Sequence, residues 1–200
     1  MFDLIRGNVE INRKTTAIIL AAGKSKRLGE PKALLKCGDK TLIEFLIERL
    51  ELFNLNIIIV TNNNLSRKIK SLTKSTNSTI ITPLDSTHRT GNLIAGLIAA
   101  KKPKKILVVP IDRPGWSLKT LEKLLEMNIT CCPEYNGKGG HPLLICDNDV
   151  EKLINSSIDT PLNSIFKTKR IKVNDPELHL NIDTKEDIKK LDNYIKNIVT

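Results

Sequence analysis

The run TTAIILAA, Thr15 to Ala22, is an apolar stretch of strand length, and GKSKRLGEPK, which follows it without a break, is small, cationic and turn-forming. A buried strand that stops at such a segment puts a small-residue turn at the edge of a sheet. After Leu20, itself a nucleotide-binding candidate, Ala21, Ala22 and Gly23 leave room for a ligand to approach the backbone, while Lys24, Lys26, Arg27 and Lys32 supply charge that suits phosphate groups. The spacing is neither the Walker A pattern, which ends in Gly-Lys-Ser/Thr, nor the GxGxxG fingerprint of dinucleotide folds. It reads as a grip on a nucleoside triphosphate, against the plainer alternative of a surface turn with solvated lysines.

The rest of the chain alternates short apolar segments with amphipathic ones, the pattern of a doubly wound α/β sheet with helices on both faces. Strands are expected at Thr16 to Ala22, Asn56 to Thr61, Ser78 to Ile81, Ile106 to Pro110, Ile129 to Tyr135, His141 to Ile145 and Lys169 to Val173. Helices are expected in TLIEFLIERLELF, LSRKIKSL, GNLIAGLIAAKK, SLKTLEKLLEM and TKEDIKKLDNYIKNI, the first with Leu42, Phe45, Leu46, Arg49 and Leu50 at helical spacing. In such sheets ligands collect beyond the carboxyl ends of the strands, where the chain order reverses. At 200 residues and 40% hydrophobic content, one domain over 16–200 is expected, preceded by a polar extension over 1–15.

The net charge of +10 invites a nucleic-acid partner, but the basic residues are scattered among 22 acids and aromatics are only 4%, too few for a base-stacking platform. The expected partners are therefore anionic small molecules, with no nucleic acid and no membrane. Cys37, Cys131, Cys132 and Cys146 lack CxxC spacing and read as reduced structural thiols of a cytoplasmic protein. The sequence has no membrane-spanning apolar run and no signal-peptide stretch in its first fifteen residues.

KKILVVPIDRPGW is a buried strand whose end delivers Asp112 to the ligand edge, and Asp183, in LNIDTKEDI, precedes the last helix. Magnesium takes one or two carboxylates together with phosphate oxygens and water, so the two acids are candidate ligands. Plain turn and helix capping is the alternative. Thr184 and Asp187 form a start signal for the last helix. Asn62 and Asp85, after the second and third strands, are candidates for base or ribose contacts. Gly91 and Asn92 open a helix whose free amides suit a phosphate or a base carbonyl. In GKGGHPLLI, flexible glycines lead to His141 and Pro142, and the histidine suits an acceptor phosphate or proton transfer near neutral pH.

The order Leu-Ala-Ala-Gly, then Ser25, Arg27, Gly29 and Lys32, resembles the opening motif of the nucleotidyltransferases that build activated nucleotide conjugates, especially the molybdenum cofactor cytidylyl- and guanylyltransferases. Asp112-Arg113-Pro114 falls where that family has Asp-Gln-Pro or Asp-Met-Pro, and Asn181 to Asp187 is similar to its closing Asp-Thr-Pro-Glu-Asp segment. Gly140-His141-Pro142 is similar to the acceptor side of the cytidylyl group. The resemblance runs from Thr16 to Leu191 and implies a single-domain, Rossmann-like three-layer sandwich of the nucleotide-diphospho-sugar transferase type.

It also implies a Mg2+-dependent enzyme that moves a nucleoside monophosphate from CTP or GTP to an anionic acceptor, molybdopterin by analogy, with Arg27, Lys32 and Asp112 at the reacting phosphates. Ala22 leans to CTP, since the guanylyl branch more often carries Ala-Gly-Gly. The chain departs from the family at Arg113 and Trp116, both expected to shape specificity, at Asn92 in place of a serine, and at Asn163 where an arginine is expected. A sugar- or polyol-phosphate nucleotidyltransferase and a non-catalytic nucleotide-binding module are the competing readings. Only an enzyme makes use of an acid at Asp112.

Overall fold

The computed structural model describes residues 15–23, 25–84 and 88–199. The polar extension up to residue 14, Lys24 and Asp85 lie outside them. In chain order the elements are β1 (Thr15–Leu20), a single 3-10 turn (Lys32–Leu34), β2 (Lys36–Cys37), β3 (Lys40–Thr41) and α1 (Leu42–Glu51). Then come β4 (Asn56–Val60), α2 (Asn63–Leu72), β5 (Ser78–Ile81), α3 (Arg89–Ala99), β6 (Lys105–Pro110) and α4 (Leu118–Leu125). The last part holds β7 (Cys131–Tyr135), β8 (Lys138–Gly139), β9 (Leu143–Cys146), α5 (Asn148–Ile154), α6 (Leu162–Ile165), β10 (Lys169–Lys172) and α7 (Lys185–Val199).

The main sheet runs β10-β7-β9-β6-β1-β4-β5, with β8 paired to β7, while β2 and β3 form a separate small hairpin. β1 is parallel to both β4 and β6, and β9 is the antiparallel strand between β6 and β7. From β1 the chain moves outward through β4 and β5, then crosses to β6 on the other side of β1. That reversal puts the carboxyl ends of β1 and β6 side by side, with Leu20 opposite Pro110, and opens the crevice in which such sheets bind ligands.

Side-chain alternation along the strands makes two apolar layers. Ala17 and Ile19 of β1 point into one, packed by α1, α4 and α7, and Ile18 into the other, packed by α3 and α5. Both layers exclude water almost completely, which makes this a three-layer α/β sandwich. Cys131 and Cys132 fall on opposite sides of the sheet, and all four cysteines are free thiols. Among the described residues no helix is long and apolar enough to cross a membrane.

Local chemistry accounts for the boundaries. Glu44 accepts from the Thr41 amide and hydroxyl at the start of α1, at 2.9 and 2.6 Å, and Ser117 accepts from the Thr120 amide at the start of α4. The expected strand at Thr16 to Ala22 ends early, at Leu20, because the next residues bend into the crevice. The expected strand from His141 instead begins at Leu143. Asn136 and Gly137 both have positive φ, 50° and 76°, and close the β7–β8 hairpin, a turn that the Asn-Gly pair specifies. Far from being a flexible lead, GKGG is ordered: Gly137 completes the turn, Lys138 and Gly139 pair with β7, and the Gly140 amide donates to Pro133.

Trp116 is fully buried, with the Arg49 guanidinium 4.5 Å from its ring centre and donating to its carbonyl. It is therefore a core residue and does not reach the crevice to shape specificity. Beside it, Gly115 lets the loop after β6 lie against the segment that carries Asp183. A Cβ there would fall 1.9 Å from the Glu177 carbonyl oxygen and 2.8 Å from Leu180 Cβ. Gly115→Ala is expected to lower stability by about 2 kcal/mol, read as a drop in the urea midpoint at unchanged m-value. An unchanged midpoint would show that the two segments are not in tight contact.

Candidate active site

The loop after β1 is held at both ends. The Ala21 amide donates to the Val60 carbonyl at 2.8 Å and the Ile111 amide donates to the Leu20 carbonyl at 3.1 Å, stitching the three strand ends together. Ser25, at φ 46°, turns the chain, its carbonyl accepts from the amides of Leu28 and Gly29, and its hydroxyl accepts from the Lys32 amide at 3.2 Å. Leu28 is buried beneath the loop and Gly29 takes φ 84°, a value that favours glycine. Gly23 has open space where a side chain would be. Above the loop lies a cavity of about 300 Å3 whose lining includes Ala21, Ala22, Gly23, Lys32, Asn92 and Asp112.

Lys32 lines this cavity. Its Nζ lies 3.0 Å from Asp112 Oδ2 and 2.7 Å from Asp183 Oδ1, partners 80 and 151 residues away in the chain. The Ile182 amide donates to the Asp112 carbonyl at 3.0 Å, so the two acid-bearing segments are tied through their backbones as well. Asn181 donates to the other Asp183 oxygen at 2.7 Å, and Arg27 reaches it at 3.2 Å from an exposed position. The Lys32 hydrogen bond foremost, then that of Asn181, and then the charges of Lys32 and Arg27 hold the Asp183 carboxyl below its ordinary range.

Asp187 fixes the start of α7. Its Oδ2 accepts from the amides of Asp183 and Thr184 and from the Thr184 hydroxyl, at 3.0 to 3.1 Å, and its Oδ1 pairs with Lys190. Lys190, then the two amides, hold its carboxyl far below the ordinary range.

The nucleotide-side candidates separate. Asn92 is buried and lines the cavity, on the first turn of α3. Asn62 caps α2, accepting from the Leu65 amide at 3.2 Å and donating to the Ala22 carbonyl at 3.4 Å, so its side chain braces the wall from behind. The Gly91 amide is not free for a phosphate as expected: it donates to the Ile158 carbonyl at 3.0 Å, and Ile158 Cβ lies 3.1 Å from where a Gly91 side chain would begin.

On the far side of Arg89 a second cavity of about 500 Å3 opens, with His88, His141, Leu143, Asn163 and Phe166 among its lining residues. Arg89 lines both cavities. It was not singled out from the sequence, although its place at the first residue of α3, at the sheet's ligand edge, is the kind of position that carries function. Gly140 is a packing residue: its amide donates to the Pro133 carbonyl at 2.8 Å and Leu178 Cγ sits 2.6 Å from where a Cβ would be. Pro142 follows His141 across a cis peptide and leads into the buried β9. Burial, then the nearby charges of Arg113 and Arg89, push the His141 pKa down to about 4. His141 is thus neutral at physiological pH and does not titrate there, contrary to the expectation from its type.

The MobA-like NTP transferase domain matches residues 17–173. The chain belongs to that family. A probable molybdenum cofactor guanylyltransferase of Bacillus mycoides is 26% identical over 149 residues, which span 70% of this chain and 72% of the relative. A nucleotidyl transferase from Methanothermobacter superposes with a TM-score of 0.75 at 19% identity, covering 92% of this chain and 98% of its own. Rv0371c of Mycobacterium tuberculosis in complex with manganese superposes at 0.73 with 17% identity, covering 90% and 98%. The fold is that of the nucleotide-diphospho-sugar transferases, and the protein is a nucleotidyltransferase.

Asp187→Ala is expected to cost about 1 kcal/mol at pH 7, a lost helix cap. Because the folded-state pKa is depressed, the contribution of Asp187 is present above the unfolded value of about 4 and fades as pH falls through the folded value. Denaturation curves of parent and variant should therefore converge in acid. A gap that stays constant from pH 7 to pH 2 would contradict the assignment.

Proposed function

We propose that the protein transfers the nucleoside monophosphate of CTP, in preference to GTP, to an anionic phosphate acceptor such as molybdopterin, releasing pyrophosphate. The observation that carries this reading is the convergence of Asp112 and Asp183 on one point at the wall of a cavity floored by Ala21, Ala22 and Gly23.

The two carboxylates fit a magnesium ion. They come within hydrogen-bond distance of a single cationic atom, and two acids with phosphate oxygens and water make the donor set that magnesium favours. The described residues include no group of three or more His, Cys, Asp or Glu that could hold a metal ion by themselves, so substrate oxygens would complete the set. When bound, the ion would neutralise charge on the phosphates.

The chain's own part is positioning. The small-residue loop admits the triphosphate, with Lys32 and Arg27 meeting its negative charge. Arg89, shared by the two cavities, draws the acceptor phosphate toward the α-phosphorus, and the 500 Å3 cavity takes the acceptor's body. An oxygen of the acceptor phosphate attacks the α-phosphorus, the bond to the bridging oxygen of the β-phosphate breaks, and that oxygen keeps the electron pair as pyrophosphate leaves. A phosphate monoester is already largely dianionic at neutral pH, so no base has to take a proton from it. A neutral His141 is therefore suited to a hydrogen-bonding role.

CTP preference rests on the Ala22 methyl, which raises the cavity floor where glycine would leave space for a purine. GTP is the second reading, favoured by the name of the Bacillus mycoides relative. The free thiols suit a reducing cytoplasm.

Asp112→Asn is expected to lower kcat/KM by at least about a hundredfold, roughly 2.7 kcal/mol on the barrier, with the melting temperature retained. Activity within about threefold of the parent would remove Asp112 from the reaction. In competition kinetics with a pterin phosphate acceptor the parent should favour CTP. Ala22→Gly should move the ratio toward GTP by about tenfold, one methyl being worth about 1 to 3 kcal/mol in a pocket. A parent that favours GTP would replace the first reading with the second.

A further inference from the structure

On the reading that Asp112 and Asp183 are the metal ligands, the position of Lys32 has a regulatory meaning. We propose that Lys32 is a removable counter-cation: it holds the two carboxylates together in the free enzyme, keeps a divalent ion out, and gives them up when a triphosphate binds its ammonium. Metal and nucleotide then load together.

Three features carry this. The ammonium contacts both carboxylates, 3.0 Å from Asp112 and 2.7 Å from Asp183, with its side chain only 12% exposed. A magnesium ion needs carboxylate oxygens at about 2.1 Å, so an ion bound to both acids would stand almost where Nζ now stands. Two cations cannot share that point, and the site takes one or the other.

The second feature is freedom to move. The Lys32 backbone is pinned by Ser25 Oγ and begins the 3-10 turn, but its charge rides on a flexible four-carbon stem that lines the 300 Å3 cavity. A triphosphate entering the cavity carries more negative charge than the two acids together and lies within reach of the same side chain.

The third feature is that Lys32 differs from the other cation at the pair. Arg27 touches Asp183 from the rim with its side chain 72% exposed, where an ion pair is screened and weak. Asn181, on the outer oxygen of Asp183, is neutral. Lys32 is thus the described cation that sits between the two acids, and its release is coupled to metal binding. By linkage, triphosphate then raises metal affinity and metal raises triphosphate affinity.

The test uses the full chain without nucleotide and follows Mn2+ binding by calorimetry and by loss of the free-ion EPR signal. Lys32→Met and Lys32→Gln should bind Mn2+ about tenfold or more tightly than the parent, the glutamine keeping a hydrogen bond to the acids should the methionine variant fail to fold. Lys26→Met, which removes the same charge from an exposed position on the loop, should change affinity by less than about twofold. Adding Asp112→Asn to Lys32→Met should abolish the gain. The proposal is overturned if neither Lys32 variant binds more tightly, if Lys26→Met matches them, or if the gain survives loss of Asp112. Turnover separates this failure from a failure of the reading beneath it. If Asp112→Asn is inactive while the Lys32 variants bind Mn2+ like the parent, only the counter-cation idea falls; if Asp112→Asn turns over normally, the metal assignment falls with it.

Discussion

Everything at the candidate site depends on one short-range constraint, the pinning of the Asp112 strand end against the segment that ends at Asp183. Two carboxylates repel, and bringing them to one point requires both a cation and a rigid frame. Lys32 is the cation. The frame is the Ile182 to Asp112 backbone hydrogen bond, flanked by buried Ile182 on one side and by the tight Gly115 approach on the other. Without that frame the acids would belong to two unrelated surface loops. With it they form a two-carboxylate site that Lys32 occupies.

The sheet explains why this meeting occurs next to the glycine-bearing loop. Parallel pairing of β1 with β6 in the register Leu20 to Pro110 makes their following loops neighbours by construction. The reversal of strand order at the same place keeps helices from covering them. α3 then starts nearby, and Arg89 at its first residue lines both cavities. A net charge of +10 fits this arrangement, since the substrates and products of the proposed reaction are anions.

Where a single physical rule decides the outcome, the residues were readable in advance. The alternation of buried strands and amphipathic helices points to the three-layer sandwich, and a strand ending at an acid points to Asp112 at the crevice edge, where it lines the cavity. Reading failed where tertiary partners decide. Whether the Gly91 amide is free depends on Ile158, 67 residues further along, and whether Trp116 faces ligand or core depends on Arg49 of α1. The lowered His141 pKa comes from burial and from arginines on other elements, none of which are its sequence neighbours. The short α5 and α6, which carry Val150 and Leu153 into the core and Leu162 to the second cavity, were too brief for periodicity to reveal. The Asn136-Gly137 hairpin, by contrast, is written in the sequence as a plain turn signal.

In the proposed reaction the Asp112 and Asp183 carboxylates hold the ion that serves the triphosphate. The most direct measurement of this role is an anomalous-difference map from crystals grown with Mn2+ and a non-hydrolysable CTP analogue. One peak is expected within coordination distance of both carboxylates and of the phosphates, with the Lys32 ammonium displaced onto the phosphate chain. A peak that touches neither carboxylate, or a Lys32 still lodged between them with nucleotide bound, would contradict it.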